Sequence, residues 1–474
     1  MGPEEPGPSG ASAGASSGAP QGGLFAPLFG DATVDAAVSD AAVLRAMLDA
    51  ESALAHAEAD ADLFPRETAE AISAACDPHG YDLPRLGQQA DASGNPVVPL
   101  VRALTSRVPP EVRPWVHHGA TSQDILDTAF VLMVARAMDL LAPTLDAAAA
   151  ACARLADTHR GTLMVARTLG QQALPTTFGL RCAGWLTGLE EAAVRLTSVR
   201  TNLAVQLGGA AGTLAALGPA TGVAVADHYA RRLGLSAPTM PWHTDRQRWL
   251  DVATALGGVV TAAGKIALDV TLLAQTEVAE VAEGGTADDG TGRGGSSALP
   301  HKRNPVDSVL VVAAARRVPG LVATVHASAL HEHERATGAW HAEWEPLRDL
   351  VRLAGGALRR TGRLLDGLVV DADRMRANLD ASGGLVMAES VASRLAPALG
   401  RTAAHERVGE LTRAAVRTGT SFRDQLLAAD DLRTLLTPAD IDDALDPRGW
   451  LGSTDAFVDR ALAAHHRRTT ASGG

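Results

Sequence analysis

Apolar residues recur along most of the chain at alternating spacings of three and four, the repeat of one face of an α-helix. Val252, Leu256, Val259, Ala263, Ile266, Val270 and Leu273 keep that repeat for about six turns, which predicts a long helix packed inside a bundle. Val43, Met47, Ala50 and Leu54 show it again behind Ser39 and Asp40, two residues able to cap a helix start. Segments 124–158, 179–204 and 306–330 read as further long helices, with Pro319 expected to kink or interrupt the last. Alternating β-branched sequence is scarce and no solenoid period is present, which disfavours Rossmann and barrel architectures. The expected fold class is therefore all-α. Breaks in the periodicity suggest an N-terminal helical domain over 24–118, a central long-helix bundle over 119–365 and a C-terminal helical domain over 366–474.

Composition adds limits to this picture. With 46% hydrophobic and 20% charged residues the chain reads as globular, and its net charge of −12 speaks against nucleic-acid or anionic-membrane partners. A locally basic pocket for an anionic substrate stays compatible with that balance. The most apolar runs, 252–274 and 309–325, carry Lys265 with Asp269 and Arg316, Arg317 with Pro319, so neither reads as a membrane span. Residues 1–23 are acidic where a secretory signal would be basic, and read as a disordered tail. Cys76, Cys152 and Cys182 are widely spaced and read as free thiols, so the expected compartment is the cytoplasm.

The most informative segment is EGGTADDGTGRGGSSALPHKRNP, Glu283 to Pro305. Six glycines between Gly284 and Gly295 predict a mobile loop rather than a helix. Ser296, Ser297, Lys302 and Asn304 then place hydroxyls, an ammonium and an amide within nine residues. These are the parts needed to take a proton from a carbon beside a carboxylate and to stabilise the dianion that results. A serine serves as base only if its oxyanion is favoured, which neighbouring N–H groups and Lys302 could achieve. Loop closure would also exclude water. Elsewhere, TSQD at 121–124 reads either as a helix cap with Ser122 capping or as neutral donors to a carboxylate. Arg335 reads either as a carboxylate clamp or as a helix salt bridge with Glu332 or Glu334. His331 and His333, two apart on an expected helix, and the neighbours His117 and His118 are poorly placed to share a metal, so no metal is expected.

The loop GGSSALPHKRNP resembles the signature segment of the aspartase/fumarase superfamily. HHGATSQDILDT at 117–128 is similar to that family's substrate-carboxylate segment, and RTLGQQALPTTFGL at 167–180 to its second active-site segment. GNPVVPLV at 94–101, QLGGAAGTLAALG at 206–218, PWHTDRQRW at 241–249 and HERATGAWHAEW at 333–344 are most similar to the 3-carboxymuconate cycloisomerase branch. The resemblance spans about residues 24–410. It implies a three-region helical subunit in a homotetramer, with each active site assembled from three subunits, no cofactor and a small polycarboxylate substrate. Carried over by position, Ser296 is the base with Ser297 beside it, and Lys302 and Asn304 hold the carboxylate or dianion. Thr121, Ser122 and Gln123 supply neutral donors, Arg335 a clamp, and Thr168 and Gln171 substrate contacts from the second segment.

That second segment departs from the family. Lyases that expel an amine or alkoxide commonly have histidine after the threonine, and the cycloisomerase branch often has tryptophan there and histidine after the glutamine. Here Leu169 and Gln172 occupy those positions. An amine or alkoxide leaving group needs a proton, so argininosuccinate and adenylosuccinate chemistry is disfavoured. Two reactions need no such donor. One is loss of a stable anion, as in the nitrosuccinate lyases of actinobacterial biosynthesis, which make fumarate and nitrite. The other is lactone formation by the substrate's own carboxylate, as in the cycloisomerase. A catalytically silent structural scaffold is a remote third reading.

Overall fold

The computed structural model describes residues 23–285 and 294–471. The expected tail, up to residue 22, and the glycine-rich stretch 286–293 lie outside the described residues. Helix α1 (Asp40–Asp60) starts where Ser39 Oγ accepts the Ala42 N–H at 3.2 Å, so the predicted capping residue caps. The long helices follow as α2 (Ser122–Thr158), α3 (Phe178–Thr201), α4 (Gln247–Leu273), α5 (Val306–Ser328) and α6 (Trp344–Asp366). They form an all-α bundle: α4 packs against α3, α5 and α6, and α2 against α1, α3 and α6. The predicted stripe on α4, Val252 to Leu273, is buried at every position.

Small residues let α4 and α5 approach closely. A Cβ on Gly264 would lie 2.7 Å from Ala315 Cβ, and one on Gly257 would lie 3.1 Å from Val322. These pairs run in opposite order along the two helices, so α5 is antiparallel to α4, and Leu330 bridges Asp245 at the far end. By length and composition α4 and α5 could each cross a membrane, and half of the most apolar window of α4 is buried inside the fold.

The structure departs from the expected elements in three places. Helix α5 runs through Pro319 without interruption; one lost backbone hydrogen bond is tolerated where flanking turns are held by packing. Among the described residues there are four short strands: β1 (Leu163–Thr168) pairs with β2 (Gln171–Thr177), and β3 (Val281–Glu283) with β4 (Leu368–Val370), both antiparallel. The segment 331–338, expected to be helical, is a loop.

The bundle core is continuous from Val34 to Leu365. A second core, from Val391 to Ala444, lies in the C-terminal region and includes Val408 and Leu411 on α7 (Arg401–Thr418). The last helix, α8 (Thr454–Ala471), returns to the bundle. There His465 Nδ1 lies 2.7 Å from Glu190 Oε1 on α3, and Arg468 pairs with Glu190 and with Asp146 on α2.

Candidate active site

At the start of α2, Thr121 is the N-cap, one residue earlier than Ser122, and its backbone N–H donates to Asp124 Oδ2 at 2.9 Å. This shift leaves the Ser122 hydroxyl without a protein partner among the described residues, and not buried. Asp124 is fully buried and accepts three more hydrogen bonds, from the N–H groups of Gly208 and Gly209 at 2.9 Å each and from His243 Nε2 at 2.7 Å. One carboxylate thereby ties the 206–218 loop and the 241–246 segment to the helix start. Gly209 sits at φ 68° with Gly119 O against it, a place only glycine fills without strain. Gln123 is buried and spends both amide hydrogens inside the protein, on Asp127 Oδ2 at 3.2 Å and His243 O at 2.9 Å. In this state its amide ties α2 to the 241–246 segment and has no hydrogen left to donate to a substrate.

Arg335 reaches the same place. Its Nη1 donates to Thr121 Oγ1 at 2.9 Å and its Nη2 to Ala210 O at 3.1 Å. It forms no ion pair among the described residues, and Glu332 instead accepts the Thr337 N–H, so the helix salt bridge is not made. The loop carrying Arg335 is pinned by a buried charge network. Arg246 donates to Asp127 at 2.7 and 3.0 Å and to Glu343 at 2.7 Å, Trp340 Nε1 donates to Asp127, and His331 Nε2 lies 3.1 Å from Glu343. Bidentate guanidinium–carboxylate pairing suits a site where charge must be buried.

His117 and His118, weighed in the sequence only as metal ligands, have partners the sequence did not single out. His117 Nδ1 lies 2.6 Å from Glu51 Oε1, and His118 Nδ1 lies 2.8 Å from Glu58 Oε1, both carboxylates being buried on α1. The available sequence signal was Glu51 and Glu58 on the apolar face of a helix, where charge is not expected without a partner. Burial, then the Glu51 charge, pushes the Glu58 carboxyl up to about 9. Burial lowers His118, whereas the Glu51 charge and hydrogen bond outweigh burial at His117 and raise it.

The other predicted site residues lie elsewhere in the chain. Thr168 and Gln171 pair across a two-residue turn, Leu169–Gly170, with φ 51° and 79°, the values of a tight hairpin with both central residues left-handed. Leu169 is fully exposed at 103% of its reference area. Arg167 holds the base of this hairpin through two bonds to buried Glu280, at 2.7 and 2.9 Å. Glu280 directly precedes β3, and β3 leads into the serine loop. Its last residue, Glu283, accepts the N–H groups of Asp307 and Ser308 at 3.0 and 2.7 Å, joining the two feet of the loop at the start of α5.

Within the described part of that loop, Asn304 N and Nδ2 both donate to Gly294 O, at 2.8 and 3.1 Å, and Gly295 bridges Arg303. Ser296 Oγ accepts two backbone N–H groups, from Ala298 at 3.3 Å and Leu299 at 3.1 Å. Ser297 and Lys302 are exposed, and Lys302 makes no ion pair among the described residues. The structure thus gathers Thr121, Ser122 and Arg335 at the beginning of α4. It places Ser296, Ser297, Lys302 and Asn304, with the Thr168–Gln171 hairpin, beyond the other end of α4. The 27 residues of α4 separate the two groups by about 40 Å.

The fold is an all-α long-helix bundle with Ser296 and Lys302 in a loop at one end of α4 and Arg335 beside Thr121 at the other, and the comparisons define its class as that of the lyases. Residues 30–320 match the lyase family and residues 384–461 the adenylosuccinate lyase C-terminus, so the chain belongs to this lyase family, in the aspartase/fumarase superfamily. It is 46% identical to nitrosuccinate lyase of Streptomyces davaonensis, over 90% of this chain and 92% of that one. It is 45% identical to 3-carboxy-cis,cis-muconate cycloisomerase of Pseudomonas aeruginosa, over 90% of this chain and 93% of the other. The crystal structure of the 3-carboxy-cis,cis-muconate lactonizing enzyme from Pseudomonas putida superposes with a TM-score of 0.87 at 41% identity, covering 94% of this chain and 99% of that one. The protein is therefore an enzyme of this superfamily, a lyase or lactonising cycloisomerase.

Proposed function

We propose that the protein is a cofactor-independent, cytoplasmic lyase that expels an anion from a succinate-type acid, with nitrosuccinate going to fumarate and nitrite. Ser296 Oγ takes the proton from the carbon beside a carboxylate. The C–H electron pair passes through the carboxylate-stabilised dianion to form the C=C bond, and the C–N bond breaks with its pair leaving on nitrite. The observation that carries this reading is the pair of N–H groups on Ser296 Oγ, donors that favour an oxyanion there without a histidine. Lys302 and Asn304 stabilise the dianion, with Ser297 beside the base, and Thr121, Ser122 and Arg335 hold a substrate carboxylate while Gln123 shapes the wall behind them. Thr168 and Gln171 bring the second segment to the substrate. Leu169 offers no proton, which an anionic leaving group does not need.

The two ends of α4 are too far apart to serve one small substrate from a single chain. We therefore infer a homotetramer with active sites shared between copies. The partly exposed apolar side chains Leu268 and Leu272 on α4 and Val309 on α5 suit helix faces that pack on another copy. The near-equal identity to the cycloisomerase supports 3-carboxymuconate as the second reading. Purified enzyme given each substrate separates them. Nitrite with stoichiometric fumarate is the expected result; lactone without nitrite selects the cycloisomerase, and turnover of neither overturns both.

A further inference from the structure

The segment that leads into the bundle, 24–31, lies as a strap across α6, and α6 holds it by its backbone. The single helical turn Ala26–Phe29 closes with the Gly30 N–H donating to Ala26 O at 2.9 Å, and the carbonyls that follow have no helical partner of their own. Two arginines of α6 supply the missing donors. Arg359 Nη2 donates to Gly30 O at 2.9 Å and to Pro27 O at 3.3 Å. Arg360 Nε donates to Leu28 O at 2.9 Å and its Nη2 to Pro27 O at 3.4 Å. Gly356 makes the close approach possible, since a Cβ there would stand 1.8 Å from Phe29 O. Glycine is a poor residue for the middle of a helix, and here its missing side chain is the seat of the strap.

The same Arg360 reaches the foot of the serine loop. It is buried, and its Nη1 donates to Asp307 Oδ1 at 2.5 Å, while Arg363 Nη2 donates to that oxygen at 2.6 Å. Asp307 is buried in the first turn of α5, where the helix N-terminus favours a carboxylate. Its backbone N–H is one of the two that Glu283 accepts, so its main chain and its side chain are both fixed. Asn304 lies three residues before Asp307 and Lys302 five, a span of chain too short to absorb a displaced foot. On the other limb, the Gly284 N–H donates to Gly367 O at 2.9 Å, just past the end of α6. Strap, α6, Asp307 and loop are thus one connected set, and the planar guanidinium of Arg360 is its joint. A lysine's single ammonium reaches a carboxylate without also bonding two carbonyls in a fixed plane.

We propose that Arg360 is a positioning residue for the reaction: seated by the strap, it fixes Asp307 and, through Asp307, the limb of the loop that carries Ser296, Lys302 and Asn304. This assignment rests on the proposed roles of Ser296 and Lys302. Both act where a proton leaves carbon and a dianion forms, so a small misplacement of the loop is felt in kcat rather than in binding. The Thr121–Arg335 group stands at the other end of α4 and keeps its geometry whether or not the strap is seated.

The test compares variants of the full chain by steady-state kinetics and by hydrogen exchange followed over residues 294–305. Gly356→Ala favours the helix but lifts the strap from α6, and Arg360→Gln removes the joint while keeping a polar side chain. Each should lower kcat about 10- to 100-fold on whichever of nitrosuccinate or 3-carboxymuconate the wild type converts, with KM within about threefold. Each should also speed exchange over 294–305 and leave α4 unchanged. Arg360→Lys, which keeps the charge beside Asp307, should recover part of the lost kcat. Arg352→Gln, which gives up the pairings with Asp35 and Asp349 but touches neither the strap carbonyls nor Asp307, should keep wild-type kcat and exchange. Wild-type kcat in Arg360→Gln, a loss confined to KM, or exchange that quickens equally in α4 overturns the proposal. Should Arg360→Gln fail to fold, Gly356→Ala and Arg360→Lys decide it on the same terms. A wild type that converts neither substrate removes the functional reading; faster exchange confined to 294–305 in the variants then upholds the coupling, and unchanged exchange ends it too.

Discussion

Ser296 and Arg335 illustrate how one side chain's surroundings decide its chemistry. Two backbone N–H groups already converge on Ser296 Oγ, so the hydroxyl sits where negative charge is favoured. Ser296→Ala should lose kcat by about 10²- to 10⁴-fold, the usual worth of a positioned base, while still binding fumarate. Wild-type kcat in that variant would assign the base elsewhere. Arg335 carries a positive charge that no carboxylate of the described chain neutralises, so Arg335→Ala should raise KM by about 10- to 100-fold, with the smaller effect on kcat. Glu58 gives a stability signature. Its folded value near 9 against 4.5 unfolded means that the folded state holds an extra proton between those values, and stability falls as pH rises through that window. Glu58→Gln removes the titration, so its melting temperature at pH 8 should exceed wild type and vary less with pH; an unchanged slope would place Glu58 ionised.

At the scale of elements, the long helices were legible because their burial repeats every three or four residues, and the α4 stripe is core throughout. The hairpin of β1 and β2 was not, because strands of six and seven residues alternate too briefly to stand out and its turn lacks the usual Asn–Gly. The 331–338 loop was missed for a related reason: its alternating charges mimic a solvated helix, whereas His331 is drawn down onto Glu343. Ser296, Lys302 and Arg335 were legible as residue types in a motif, but the His–Glu pairs were not, since their partners are about sixty residues apart in sequence. Leu169 holds a left-handed backbone while its side chain is fully exposed. Leu169→Asn should therefore raise the melting temperature, by about 0.5–1 kcal/mol of stability, while activity falls if the tip meets substrate. A lowered melting temperature would contradict the strain. Arg246 joins the starts of α4 and α6 to α2, and Arg246→Met strands two buried carboxylates, so unfolding in urea should show a loss of about 3–5 kcal/mol.

In the whole molecule the helix bundle carries the two groups of candidate residues at opposite ends of α4. One end collects Thr121, Ser122 and Arg335 beside Asp124 and Arg246; the other carries the serine loop and the exposed hairpin, tied together by Glu280 and Glu283. Neither end alone holds all the residues that the proposed elimination uses. If a second copy lies antiparallel along the helices, each bundle end supplies what the other lacks. That inference yields a direct measurement. Ser296→Ala and Arg335→Ala enzymes, each nearly inactive alone, are unfolded together, refolded as mixed assemblies and assayed against each variant refolded by itself. Restored turnover, approaching one quarter of wild-type sites in a random mixture, is the predicted result, because some sites then draw both intact residues from different copies. Mixed assemblies that stay as inactive as their parents would contradict it and return the entire site to a single chain.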